Sequence, residues 1–516
     1  MAGLTRRAGS LYGRTEDSLG RLWLVWAAAL VFYAGAAFVI LTKVRLPTPL
    51  HLLVFVMAAA VIVLTVIRIE WAIMGLAVMI PFARPGFTVG YAHLLHVSGF
   101  NVAVVGVWIA YLFRYMTDRE SIGQGPLVRR TPIDMLVLVY LFFATMSTFV
   151  GLNAMSDPQG KDQILLFYKD QVLFVAWFYL VFTLLRTPGD LRRFGVLLAS
   201  SGLLVAAIGL YARVRGAAAS IGVPEDQLEG GVVGGRIEGG WLGLVHPNFY
   251  GAFLIVSTPI WFFAVDHLKK VFHRLLASAA ILLGLVGLLF TYSRSSWIGF
   301  VLGIGTQAVT HGRTFRRVVA FLVLFAVVAQ ALAYMTTGMG FVDLIQIRFE
   351  QLERSGFSSR PAIYAAAFEI LRKYPILGVG GGALRWYAPG VWEGGILAHA
   401  HNVVLAIATE YGIPAAIAFA GILIMFLWTG AQNVRRLLHV PGYGFLAQGT
   451  FVGMLALTVQ CMFEHILFSR DVGYALFGVG AVILGLNRCL REGTLPPAPQ
   501  PAGAGNARSA GIWKEA

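Results

Sequence analysis

The chain has 516 residues, of which 58% are hydrophobic and only 13% charged, and its mean hydropathy is +0.74. Soluble domains carry about a quarter charged residues. Because a charge at the bilayer centre costs roughly 2.5–3.5 kcal/mol on insertion, this depletion predicts an integral membrane protein and excludes an ordinary soluble enzyme. The net charge of +15 does not indicate a nucleic-acid partner, because the basic residues separate the apolar runs instead of forming one patch.

Apolar runs of about the 20 residues that cross a bilayer recur along the whole chain. The first, 22–41, is too long for a signal-peptide core, so it predicts a spanning helix. We expect an all-α polytopic membrane protein with 12–14 transmembrane helices. The runs lie at 22–41, 49–67, 71–83, 94–113, 133–152, 164–185, 195–212, 248–266, 275–292, 296–311, 317–335, 402–429, 446–468 and 472–487.

Basic residues fix the orientation of these helices. Strongly basic connections, such as Arg129–Arg130 after the fourth run and Arg435–Arg436 after the twelfth, follow only even-numbered runs. Cytoplasmic loops carry an excess of Lys and Arg. Both termini are therefore expected in the cytoplasm, and the connections after odd-numbered runs outside.

Two long polar segments fall outside in this arrangement, and the second holds helix-like patterns near 341–353 and 361–373. Cys461 and Cys489 support neither a disulfide framework nor a thiol metal site. The Pro-, Gly- and Ala-rich tail is expected to be disordered. The predicted division is a cytoplasmic segment 1–21, transmembrane helices 22–212, an external loop 213–247, transmembrane helices 248–335, a large, partly helical external loop 336–401 between the spans ending near 335 and starting near 402, transmembrane helices 402–488 and a cytoplasmic tail 489–516.

Arginines and histidines gather on the external face, beside predicted helix ends. Arg236 lies in the first long loop, Arg294 in the turn TYSRSSW, and Arg360, His399 and His401 in the second long loop. A guanidinium matches phosphate oxygens bidentately, and a histidine accepts a proton from a hydroxyl near neutral pH. This combination suits an alcohol attacking a lipid donor activated by phosphate or pyrophosphate.

Each of these residues also has a structural alternative. Arg294 could anchor to lipid headgroups by snorkelling, and Arg236 could solvate a Gly-rich loop. Arg360 could pair within its own loop, and His401, next to Asn402, could belong to a helix cap.

The two external histidines do not predict a metal site. His399 and His401 have no third ligand near them in sequence, so we expect no bound metal. The run GVGGG at 378–382 lacks the Gly-Lys-Ser/Thr ending of a phosphate-binding loop and predicts a turn.

Charged residues also occur inside predicted spans. Lys169 and Asp170 lie in one, and Glu464 and His465 in another. Intramembrane charges are functional candidates, but adjacent opposite charges could neutralise one another or lie nearer an interface. Glu410 lies eight residues into a span and precedes a Gly-Ile-Pro sequence that is expected to kink the helix.

Three motifs together resemble the O-antigen ligase/polymerase superfamily: TYSRSSW, RPAIYAAAFEILRKYPILGVGGG and AHNVVLAIATEYGIP. The resemblance covers roughly residues 230–430, whereas the first 200 residues share only their membrane helices. It implies an inverting, metal-independent glycosyltransferase of the bacterial inner membrane that needs no cofactor. The donor would be a glycan on undecaprenyl pyrophosphate, and the active site would be periplasmic.

The resemblance also implies roles for individual residues. Arg236 and Arg294 match pyrophosphate-binding arginines, and His401 matches the activating base or acceptor-positioning group. His401 fits better than His399 because of its spacing to Asn402. The catalytic candidates are thus His401, Arg294 and Arg236, and the substrate-binding candidates are Arg360, Asn402, His399, His246, Asn248, Tyr292 and Glu410.

The acceptor stays open at this point. A ligase would transfer the glycan to lipid A–core, and a polymerase would extend another lipid-linked repeat unit. A transporter or flippase for a lipid-linked or anionic substrate would need charged groups along a path through the membrane midplane. The best candidates instead share one face, which favours transfer chemistry, with the donor, the acceptor glycan or lipid A–core, and the bilayer as partners.

Overall fold

The computed structural model describes residues 49–83, 86–89, 95–117, 125–219, 247–291, 293–310, 360–387 and 400–495, with scattered residues between 316 and 346. The predicted first span 22–41, most of the first long loop and about half of the second lie outside the described residues.

The protein is an all-α polytopic membrane protein, as predicted. In its described part, nine helices are long and apolar enough to cross a membrane. The total of 12–14 stays a prediction. The helices are α1 (Pro49–Ile67), α2 (Ile69–Met79), α3 (Gly99–Thr117), α4 (Asp134–Ala154), α5 (Pro158–Leu184), α6 (Pro188–Ala219), α7 (Pro247–Ala264), α8 (Val271–Phe290), α9 (Arg294–Thr310), α10 (Arg360–Lys373), α11 (Leu384–Tyr387), α12 (Val403–Tyr411), α13 (Ile413–Leu437), α14 (Gly444–Cys461) and α15 (Arg470–Arg491).

A short β-hairpin precedes α3. Strands β1 (Gly86–Val89) and β2 (Leu95–Ser98) pair antiparallel, with Gly86 opposite Ser98. The predicted apolar run 94–113 therefore begins in a strand.

Helix α15 forms the centre of the bundle, because nearly all of its residues are buried. Its glycines let aromatic rings approach the backbone: a Cβ on Gly473 would lie 2.3 Å from Phe174 Cζ, and one on Gly480 2.4 Å from Phe426 Cζ. Small residues permit such close packing between membrane helices.

Two predicted spans end differently in the structure. The run 402–429 is divided at Gly412 into α12 and α13, in line with the expected kink. The run 446–468 is wrong at its end, because α14 stops at Cys461 and Ile466–Phe468 form a short 3-10 turn. Apolar residues continue past the helix end there, so hydropathy alone cannot detect the stop. Glu464 and His465 therefore lie in a connection and not in a membrane helix.

The GVGGG run forms a turn, as predicted, with positive φ at Gly378, Gly380 and Gly382. Together with Pro375 it forms a clamp, in which hydrogen bonds hold the junction between α12 and α13. Gly380 N–H donates to the carbonyl of Glu410 at 2.9 Å, and Ile413 N–H donates to the carbonyl of Pro375 at 2.9 Å. The segment after α10 thus holds both helices at their junction.

Gly412 should not tolerate a side chain. Its φ of +93° is unfavourable for other residues, and an added Cβ would lie 1.8 Å from the Ile376 carbonyl oxygen. With ψ at 161°, this backbone conformation is essentially restricted to glycine and costs other residues roughly 1–3 kcal/mol. We expect Gly412→Ala to lower the apparent melting temperature of the detergent-solubilised protein. Gly305→Ala in α9, where an added Cβ meets nothing within 4 Å, is the matched control. Equal melting temperatures for the two variants would contradict the clamp.

Candidate functional site

His401 lies at the entrance to α12 in a left-handed backbone conformation, with φ +49°. Residues other than glycine adopt this region rarely, and such strain occurs preferentially at functional sites. The imidazole Nδ1 lies 3.0 Å from Oε1 of Glu464. The half-buried histidine therefore contacts a carboxylate that lies 63 residues further along the chain.

Asn402 is the N-cap of α12. Its Oδ1 accepts a hydrogen bond from Leu405 N–H at 2.9 Å, and its Nδ2 donates to the carbonyl of Met462 at 3.1 Å. The first bond satisfies one of the amides exposed at a helix start. The second ties α12 to the connection between α14 and α15. Capping is therefore the observed role of Asn402.

Glu464 receives a second hydrogen bond, from α7. Asn248 Nδ2 donates to Glu464 Oε2 at 2.5 Å, and Gln460 Nε2 donates to the carbonyl of Asn248 at 2.8 Å. With a relative exposure of only 1%, Glu464 is an interior carboxylate with both oxygens engaged. The starts of α7 and α12 and the end of α14 meet at this group. We name His401, Glu464, Asn248 and Gln460 the histidine cluster.

His465 does not neutralise Glu464. Burial lowers the pKa of His465 to about 4, so its ring is uncharged at neutral pH. It packs edge-on against Phe167, with ring centroids 6.3 Å apart. The observed ionic contact of Glu464 is with His401, at 3.0 Å, and a functional role of the Glu464–His465 pair stays a prediction.

Arg294 begins α9 at the same end of the bundle. Helix α9 packs on α14 in antiparallel fashion: a Cβ on Gly299 would lie 2.4 Å from the Ala456 carbonyl, and one on Gly303 3.0 Å from that of Val452. Extending this register by five residues brings the start of α9 level with the end of α14, where Gln460 lies. The exposed Arg294 therefore starts a helix beside the histidine cluster.

The start of helix α7 also lies beside the start of α9. A Cβ on Gly251 would lie 2.5 Å from Ser296 Oγ, so the first turns of α7 and α9 touch. Gly251 lies less than one turn from Asn248 of the histidine cluster.

Several predicted site residues lie outside the described residues, namely Arg236, His246, Tyr292 and His399. The backbone of Arg360 begins α10, and its side chain is outside the described part. The expectation that Arg236, Arg294 and His401 line one cavity therefore stays a prediction.

Glu410 lies at the opposite end of α12 from His401 and is 1% exposed. The backbone N–H of Gly382 donates a hydrogen bond to its carboxyl group. The structure places Glu410 against the glycine turn and not in the histidine cluster.

The other predicted charged pair is held within the bundle. Asp170 Oδ2 accepts from Arg470 Nε at 2.8 Å, and Asp170 Oδ1 lies 3.5 Å from Lys169 Nζ. Neutralisation of Lys169 by Asp170, one of the alternatives, is thus observed, together with a second cation. Since Arg470 begins α15, this contact fixes the end of the connection that carries Glu464.

The sequence does not reveal that Glu464 and Gln460 belong to the histidine cluster. In the sequence Glu464 is only a charge in an apolar run, and Gln460 gives no signal because polar residues at helix ends are common. Among the described residues, no group of three or more His, Cys, Asp or Glu side chains could hold a metal ion.

Residues 279–420 match the O-antigen ligase family. The matched region runs from within α8 to the start of α13 and contains Arg294, Arg360 and His401, whereas Glu464 lies beyond it. No curated protein matches the chain. The family match confirms the resemblance to the O-antigen ligase/polymerase superfamily over these residues and supports a glycosyltransferase of that type.

Asp170→Asn should destabilise the protein, because it leaves two cations in the bundle without their counter-charge. Removing one partner of a buried ion pair costs roughly 3–5 kcal/mol. We expect a clearly lower apparent melting temperature in detergent. Glu369→Gln is the control, because it breaks an ion pair with Lys373 that is exposed on both sides and should leave the melting temperature unchanged. A melting temperature of Asp170→Asn equal to that of this control would show that the buried pair does not fix α15.

Proposed function

We propose that this chain, whose residues 279–420 match the O-antigen ligase family, transfers a glycan from undecaprenyl pyrophosphate to an acceptor hydroxyl. The reaction takes place at the periplasmic face of the bacterial inner membrane, with both termini in the cytoplasm. The acceptor is lipid A–core, and the transfer is inverting and independent of metal. The contact between His401 and Glu464 is the observation that carries the proposal.

The histidine cluster supports a general base. A carboxylate only accepts hydrogen bonds, so the Nδ1 of His401 must carry the proton that faces Glu464. Nε2 then keeps its lone pair and can accept a proton from a hydroxyl. The second hydrogen bond, from Asn248, keeps the Glu464 carboxylate from rotating. An orienting acid behind a histidine is the arrangement used to activate hydroxyl nucleophiles.

In the proposed transfer, His401 accepts the proton of the acceptor and the lipid pyrophosphate leaves. The acceptor oxygen attacks the anomeric carbon of the donor sugar as its proton passes to His401 Nε2. The bond between that carbon and the pyrophosphate oxygen breaks, and the pyrophosphate leaves on its lipid. Attack from the side opposite the leaving group inverts the anomeric carbon.

Arg294 is proposed to bind the leaving pyrophosphate. Its guanidinium presents several donors in a planar fork, and it lies at the N-terminus of α9, where backbone amides and the helix dipole favour anions. Arg236 is proposed as a second arginine that binds the leaving pyrophosphate. Arg360, His399, His246 and Tyr292 are proposed substrate contacts.

His401→Ala should reduce glycan transfer by roughly 10²- to 10⁴-fold, the usual contribution of a positioned base. Glu464→Gln should cause a smaller loss, because glutamine can accept only one of the two hydrogen bonds that Glu464 receives. The assay uses the reconstituted full chain with undecaprenyl-pyrophosphate glycan and either lipid A–core or a second lipid-linked repeat. Product on lipid A–core identifies the ligase, and chain growth the polymerase.

Arg193→Gln, at an exposed position on α6, is the control for this assay and should keep full activity. Full transfer by His401→Ala would exclude the proposed base.

Arg294→Lys separates pyrophosphate binding from headgroup anchoring. Lysine keeps the positive charge and can snorkel, but it cannot form the bidentate fork. We expect both Arg294→Lys and Arg294→Ala to lose transfer, with a raised KM for the donor. If Arg294→Lys matches the unmodified protein while Arg294→Ala fails, Arg294 is an anchor.

A further inference from the structure

Helix α10 has one face in the protein and one outside it. Ile363, Ala367 and Ile370 are buried, and the last two pack in a small apolar cluster with residues of α4, α5 and α12. On the outer side Phe368 is 56% exposed. A single exposed aromatic residue is normal, but a continuous exposed apolar surface indicates contact with a membrane or a partner.

The C-terminal end of α10 lies level with the start of a spanning helix. Pro375 accepts the hydrogen bond from Ile413 N–H, the first residue of α13. With 25 residues at about 1.5 Å each, α13 is roughly 37 Å long, whereas the hydrocarbon core is about 30 Å thick. The first residues of α13, and the chain beside them, therefore lie at the membrane surface.

The exposed apolar residues continue from one helix to the other. Ile376, just after α10, is 62% exposed, and Ile417, one turn into α13, is 66% exposed. Tyr374 is also exposed and pairs edge-on with Tyr387. Aromatic residues with a polar end are enriched at membrane interfaces. The lipid-facing side of α13 thus extends onto α10.

A groove of about 720 Å³ lies along the outer side of α10, beside the first residue of α13, and is lined by Ala365, Phe368, Glu369, Leu371, Arg372 and Ile413. Its walls are mainly apolar, and Arg372 lies exposed at its edge. Glu369 is paired with Lys373 at 2.8 Å, so Arg372 brings a positive charge beside an apolar slot. This combination matches the phosphate and acyl chain of a glycerophospholipid.

We propose that α10 is an interfacial membrane helix and that the groove holds a phospholipid, with the phosphate at Arg372 and an acyl chain beside Phe368. Only the assignment to the outer leaflet depends on the proposed function, through the orientation. The position of α10 would also affect the candidate site. The segment after α10 is hydrogen-bonded to α12, and α12 begins beside His401. The bilayer surface therefore helps to position the histidine cluster through α10 and α12.

Spin labels can test the insertion in the full chain reconstituted into phospholipid vesicles. Cys461 and Cys489 are both buried, so labels attach selectively to introduced cysteines. Labels at Phe368→Cys and Ile376→Cys should collide more with oxygen, which partitions into lipid, than with an aqueous nickel chelate. Lys373→Cys, which lies between the two in sequence, is the matched control and should show the reverse. Equal, water-like accessibility at all three positions would overturn the interfacial helix.

The lipid in the groove is tested by native mass spectrometry of the detergent-released protein. Arg372→Gln should retain one phospholipid fewer than the unmodified protein, whereas Lys373→Gln should retain the same number. Equal retention in all three proteins would overturn the bound phospholipid. Loss of glycan transfer is read separately, so an inserted α10 in a protein that transfers no glycan would contradict the proposed function alone.

Discussion

The contact between His401 Nδ1 and Glu464 Oε1, 3.0 Å long, joins two parts of the chain that are distant in sequence. It exists only because three helix ends stop at the same level: the starts of α7 and α12 and the end of α14. Each end supplies a polar group, and those groups satisfy one another through Asn248, Asn402 and Gln460. Since polar groups buried near a bilayer require partners, the network fixes helix ends that lipid contact alone leaves free to slide.

The connection that carries Glu464 is held from both sides. Before it, Met462 accepts a hydrogen bond from Asn402, and after it Arg470 is paired with Asp170 of α5. A buried ion pair contributes little net stability compared with apolar packing, but breaking it is costly, so it resists displacement of the helix that bears it. Glu464 is thus positioned by α5, α12 and α15 together, and a catalytic hydrogen bond needs positioning of this kind.

Hydropathy predicted most of the fold because lipid contact imposes one requirement on every spanning helix. The run 133–152 is α4, Asp134–Ala154, almost residue for residue. The same reasoning failed after Cys461, where Ile466 and Leu467 continue the apolar run through a turn that is buried in protein. His401 was identifiable because a histidine beside a helix start is a chemical signal. Its pairing with Glu464 depends on tertiary packing across helices, which no local pattern encodes.

The distribution of charge separates the two classes of function. Within the bundle, Lys169 and Arg470 both pair with Asp170, as charges that maintain a bundle do. A transport path instead needs charged groups that can exchange partners with a passing substrate. His401 and Arg294 lie at the starts of helices at one end of the bundle. A lipid pyrophosphate and a hydroxyl can meet at that end without crossing the bilayer, so this placement favours group transfer over transport.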